Sequence, residues 1–169
     1  MSIKIDFKIG ASKKTSSNLV LFVDEKYNTN PLKKYLSSEE FSYISDLLKT
    51  SDLTKNMFVF ELSSKKKVVL VSIKKNIKSF EIENLGGEIY GRINYGKNSE
   101  YFVYLENITS NHKNFIGYLL HGLKLKSYEF NKYKSKKNTR LIIINVIGNK
   151  NKPSTQNLLK FKALEEGTF

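Results

Sequence analysis

The sequence predicts a three-layer α/β domain whose sheet is mixed and largely parallel. Three observations carry this. Short apolar runs of strand length recur along the chain. Amphipathic stretches of helical period lie between them. The 169 residues contain no internal repeat and no interdomain linker. Strands that alternate with helices build a sheet with helices packed on its faces.

The first segment alternates, with Ile3, Ile5, Phe7 and Ile9 on one side and Lys4, Asp6 and Lys8 on the other. That period of two marks a strand with one wet face near a sheet edge. Leu19 to Val23 are apolar without interruption, as in a strand buried on both faces. Similar runs follow at Met57–Phe60, Val68–Val71, Phe102–Leu105 and Leu141–Val146. The segments 57–62 and 67–73, joined by Ser63-Ser64-Lys65-Lys66, predict a hairpin.

Ser37 followed by Glu40 is a capping box, because each side chain satisfies an orphan amide of the other residue. Phe41, Ile44, Leu47 and Leu48 continue it as an apolar stripe. A second helix is expected from about Ser79, with Glu81 and Glu83 at the positive end of its dipole. Its stripe is Ile82, Leu85, Ile89 and Ile93, with Gly96 as a stop. A third runs from about Asn111 to Tyr128, with Phe115, Ile116, Leu119, Leu120 and Leu123 on one face. A last helix is expected from Pro153, a residue suited to a first turn, carrying Leu158, Leu159, Phe161 and Leu164. The short Asn/Lys-rich stretch Gly148–Lys152 before it is a loop.

The formal net charge is +13, a field that draws polyanions by steering and counterion release. Arg occurs only at Arg92 and Arg140, however, and phosphate and base recognition favours the planar arginine fork. Lys, Asn, Ile, Tyr and Phe share AT-rich codons, so codon bias accounts for much of the charge. No apolar run approaches the roughly 20 residues of a membrane span. The N-terminus lacks the apolar stretch of a secretion signal. With no cysteines there is no thiolate metal site and no disulfide framework. A cytoplasmic domain without membrane partners is the expectation.

The motifs of catalysis are missing. His112 and His121 fall nine positions apart on one expected helix, about half a turn out of phase at roughly 100° per residue. They cannot share a metal, and His121 is expected to be solvated. Gly86, Gly87 and Gly91 lack the GxGxxG spacing and sit inside a helical stripe rather than at a strand-to-helix turn. Gly117 and Gly122 have the spacing of a P-loop start, but Leu123 stands where lysine is required. Both glycine groups are expected to let a helix backbone approach the sheet. Each otherwise weakens its helix by about 1 kcal/mol relative to Ala.

Residues 122–137 read Gly-Leu-Lys-Leu-Lys-Ser-Tyr-Glu-Phe-Asn-Lys-Tyr-Lys-Ser-Lys-Lys, and the chain ends Ala163-Leu-Glu-Glu-Gly-Thr-Phe169. The first segment resembles the place in M17 leucyl aminopeptidases where a helix ends in Tyr-x-Phe-x-x-Tyr-Lys-x-Lys-Lys. Here those residues are Tyr128, Phe130, Tyr133, Lys134, Lys136 and Lys137. In that family the Glu-Gly pair directly precedes an Arg-Asp-Leu segment that leads to the catalytic domain. Two features depart from the pattern: no glycine-containing turn follows the strand at 68–73, and alanines of the 111–127 helix are replaced.

The resemblance implies a macro-domain-like N-terminal domain over 1–150, and over 151–169 a helix leading to a catalytic domain outside these residues. It implies a homohexameric enzyme that releases N-terminal amino acids from peptides. Two divalent ions, zinc or manganese, would be held by lysine, aspartates and glutamate of the C-terminal domain. Neither the Asp-Ser-Gly-Gly nor the Asn-Thr-Asp-Ala-Glu-Gly-Arg motif of that domain occurs here, so no catalytic, cofactor-binding or metal-binding residue is assigned. Some members also bind DNA. Lys132, Tyr133, Lys134, Lys136 and Lys137 are the residues that a nucleic-acid-binding module would use. A free-standing macro-type domain binding ADP-ribose is a further alternative. Against it, the loop Asp24–Pro31 lacks the glycines that cradle a diphosphate.

Overall fold

The structure is a computed structural model that describes residues 3–8, 18–94, 99–108, 110, 112–132, 141–148 and 162, and within these the side chains of all but 129–132. Six strands, β1 (Ile3–Lys8), β2 (Asn18–Val23), β3 (Met57–Glu61), β4 (Lys67–Ser72), β5 (Ser99–Tyr104) and β6 (Ile142–Ile147), form one sheet. Its order is β1-β6-β5-β2-β4-β3. Every neighbouring pair is parallel except β3 and β4, which form the expected antiparallel hairpin. Among the elements described, the α-helices that accompany it are α1 (Ser38–Lys49), α2 (Ser79–Ile93) and α3 (Phe115–Lys132).

The central strands divide their side chains between two cores. Val20, Phe22, Val69, Val71, Val103, Ile144 and Val146 face α2 and α3, where the predicted stripes from Ile82 to Ile93 and from Phe115 to Leu123 are buried. Leu19, Leu21, Val23, Val68 and Leu70 face the opposite way, onto Leu32, Leu36, Ile44 and Leu48. Each such aliphatic side chain contributes about 1.5–3 kcal/mol by leaving water, which fixes the three layers. β1 is an edge strand, as its alternation predicts: Ile3, Ile5 and Phe7 join the first core, while Lys4 and Lys8 remain exposed.

The capping box forms. The Glu40 amide donates to Ser37 Oγ at 3.2 Å, and the Ser37 amide donates to Glu40 Oε2 at 3.0 Å. Along α1, Ile44 and Leu48 are buried, but Leu47 is 37% exposed and leaves the expected stripe. α2 starts at Ser79, where the Lys78 amide donates to Glu81 Oε2 at 2.8 Å. α3 starts at Phe115 rather than near Asn111. A 3₁₀ turn at Asn30–Lys34, with Pro31 in its first turn, is an element the sequence pattern did not announce.

The glycines act differently from the expectation. A β-carbon on Gly86 would lie 2.1 Å from the Leu119 carbonyl oxygen, and one on Gly122 would lie 1.9 Å from that of Glu83. They therefore bring α2 and α3 together, helix against helix, and not a helix against the sheet. Gly91 has nothing within 4 Å of such a position. The expected helix after Pro153 and the stop at Gly96 lie outside the described residues.

Candidate functional site

In an open α/β sheet, ligands bind outside the carboxyl ends of the strands where the strand order reverses. Here β2 connects toward β4 on one side, and the chain then returns to β5 on the other. The crevice between the ends of β2 and β5 is thus where a ligand belongs by topology. A cavity of about 240 Å³ lies there, lined by Phe22, Val23, Asp24, Asn28, Pro31, Glu106, Asn107 and Ile108.

Several of its polar groups are engaged within the chain, whereas Asn107 Nδ2 is buried with no hydrogen-bond partner among the described residues. Asp24 Oδ1 accepts the amides of Lys26 at 3.1 Å and Asn28 at 3.0 Å, which curls the loop after β2. That loop passes through Tyr27 at φ 55°, a left-handed conformation uncommon for a residue with a β-carbon. The Tyr27 hydroxyl donates to the Lys55 carbonyl. Glu106 Oε2 receives Lys34 Nζ at 2.6 Å and the Tyr35 hydroxyl at 3.2 Å. The hydrogen bond from Lys34 holds the Glu106 carboxyl below the usual glutamate range. The same bond pushes the lysine up.

Tyr35 packs on Tyr104 with ring centroids 4.3 Å apart. Burial pushes both phenols above their usual range, so neither supplies a phenolate base at neutral pH. The cavity lining carries Asp24 and Glu106 and, among the described residues, no lysine or arginine. A diphosphate would meet two carboxylates and no cradle of glycine amides. The arrangement suits holding the loop in place; it does not suit phosphate binding.

The histidines are placed differently from the sequence expectation. His112 lies before α3, in the loop. Its Nδ1 accepts the Asn114 amide at 3.1 Å, so the proton sits on Nε2, which donates to Ser79 Oγ at 2.9 Å. His112 therefore ties the start of α2 to the approach to α3. His121 is not solvated: it is 6% exposed, with Nε2 4.0 Å from Glu83 Oε1. Among the described residues no three His, Cys, Asp or Glu side chains converge as metal ligands. The described donor set does not fit a metal pair.

Gly86, Gly87 and Gly91 lie within α2, and Gly122 within α3, away from any strand-to-helix turn. That placement removes the nucleotide-loop readings. An open groove of about 620 Å³ runs beside the crossing, lined by Glu83, Glu88, Gly87, Gly91, Gly122 and Lys126 among others. Of the lysine-rich segment, Lys132 closes α3. Tyr133, Lys134, Lys136 and Lys137 lie outside the described residues. Among the described helices none is long and apolar enough to cross a membrane.

The family model described as "Cytosol aminopeptidase family, N-terminal domain" matches residues 20–137, from β2 to just past α3. No curated protein matches the chain. Among solved structures, a tomato leucine aminopeptidase variant superposes with a TM-score of 0.64 at 19% identity, covering 96% of this chain and 35% of that one. A macrodomain protein from Streptomyces coelicolor gives a TM-score of 0.50 at 10% identity, covering 86% of this chain and 99% of its own. At these identities the likeness is one of fold, and it supports the macro-like architecture. The chain spans about a third of the tomato enzyme.

Proposed function

This chain belongs to the cytosol aminopeptidase family through that family's N-terminal domain, and on that footing we propose that it is the non-catalytic unit of a metal-dependent leucyl aminopeptidase. The family match over 20–137 carries the reading. In this reading the parent enzyme is a cytoplasmic homohexamer that releases N-terminal amino acids from peptides. Its two zinc or manganese ions belong to a catalytic domain. There they would activate water and polarise the scissile carbonyl, while this domain serves assembly or regulation.

The reading is tested by the coding sequence beyond the Phe169 codon. It expects an Arg-Asp-Leu segment followed by lysine, aspartate and glutamate ligands. A stop codon there would overturn it.

The net charge of +13 supports a second reading, a module that binds nucleic acid along Lys132–Lys137. Binding would then weaken steeply with salt, because neutralised phosphates release counterions. Absence of any DNA or RNA retardation at low salt would end that reading.

A further inference from the structure

β3 is the last strand of the sheet, and among the described residues no strand pairs with its outer side. Its hydrogen-bonding phase is set at its two ends. The Leu62 amide donates to the Lys66 carbonyl at 2.9 Å, and the Ser72 amide to the Asn56 carbonyl at 2.8 Å. Phe58 stands opposite Leu70 and Phe60 opposite Val68. Since antiparallel ladders alternate, residues 56, 58, 60 and 62 turn their amide groups toward β4. The N–H and C=O groups of Met57, Val59 and Glu61 therefore point out of the sheet.

Exposed edges are normally blunted by charges, proline or a bulge. β1, at the other edge, carries Lys4, Asp6 and Lys8 at alternate positions. β3 reads Met-Phe-Val-Phe-Glu, with its charge at the end, no proline and an unbroken register. Phe58 and Val59 in its middle are only partly buried by the chain itself.

We propose that β3 is an interaction edge that pairs antiparallel with β3 of a second copy, about a two-fold axis through Val59. The strand is self-complementary in that arrangement. Its central residue is one whose amide groups face outward, so Val59 meets Val59 of the second copy as a hydrogen-bonded pair. Met57 meets Glu61 of the second copy, and Glu61 meets Met57 in return. Every outward N–H then finds a C=O. On the α1 side, Phe58 comes opposite Phe60 of the second copy, extending a stack whose rings already lie 6.2 Å apart within one chain. Cross-strand aromatic pairs of this kind stabilise a sheet. Burial of Phe58 and Val59 supplies the apolar contact. The net charge opposes the association, so moderate salt favours it. The pairing does not depend on the aminopeptidase reading.

The test is sedimentation equilibrium of the full chain, with amide hydrogen exchange over the same concentration range. The expected result is a rise with concentration to twice the 19.5 kDa of the chain. The amides of Met57, Val59 and Glu61 should become protected in step. Val59→Pro removes an N–H that β4 does not use, on an edge strand where proline is tolerated, and should restore the monomer mass. A monomer at every concentration up to millimolar overturns the proposal. So does association in which those three amides exchange as fast as in the monomer, or which Val59→Pro leaves unchanged. Should Val59→Pro fail to fold, the exchange pattern of the unaltered chain decides alone.

Discussion

Gly122 lies so close to Glu83 that a β-carbon at position 122 would sit 1.9 Å from the Glu83 carbonyl oxygen. The obstacle is backbone on both sides, with no flexible side chain to swing away. Gly122→Ala must therefore push α3 off α2 and loosen the core beneath them. Overpacking of a tight site typically costs about 1–3 kcal/mol, and more where the backbone cannot yield. The expected result is a loss at the upper end of that range in urea unfolding. Gly91→Ala is the control: with nothing within 4 Å, it should gain about 0.5–1 kcal/mol from helix propensity. Equal responses at the two positions would contradict the helix-against-helix contact.

Lys66 makes a second long-range tie. Its side chain is 5% exposed, and its Nζ lies 3.0 Å from both carboxylate oxygens of Glu40. Its backbone carbonyl also closes the β3–β4 turn through Leu62. One lysine thus fastens that turn to the start of α1. Glu40→Ala leaves a buried ammonium unpaired and removes half of the capping box, so a loss of about 3 kcal/mol is expected. Lys66→Met keeps the volume and leaves a carboxylate that still accepts the Ser37 amide, so its loss should be smaller. Denaturant unfolding of both variants checks the order.

The Glu106 carboxyl should titrate below the ordinary glutamate range in a carboxyl NMR titration, and Lys34→Ala should return it to that range. Because the folded value is depressed, its stabilising effect is present above the ordinary range. It is lost as pH falls through the folded value. Lys34 behaves in the opposite sense: its folded value is raised, so its contribution is present at neutral pH and lost as pH rises through that value. Both side chains are about half exposed, so the pair contributes at most about 1 kcal/mol and less in high salt. A Glu106 titration unaffected by Lys34→Ala would contradict the assigned cause.

Where the determinants are local, the sequence carries them. Ser37 and Glu40 are three residues apart, and the box they predict is the one observed. The stripes of α2 and α3 and the hairpin of β3 and β4 follow from periodicity alone. His121 shows the limit. It lies opposite the sheet-facing stripe of its helix, as its phase requires, but α2 covers it. That follows from close approach at Gly86 and Gly122, to which a single-helix pattern is blind. α3 starts later than its apolar period alone places it, and just before it the His112 imidazole takes the Asn114 amide. The crevice was half legible: Asp24–Pro31 lacks glycines, but Glu106 reaches the same place from a distant part of the chain. The 3₁₀ turn at Asn30–Lys34 is too short to show a period.

The most direct measurement of the central claim is hydrolysis of leucine amide by the purified chain, with manganese or zinc added. No turnover above buffer is predicted with either metal, because among the described residues no three metal-ligating side chains converge. Metal-dependent turnover that persists through purification to homogeneity would contradict the account and place an active site within these 169 residues.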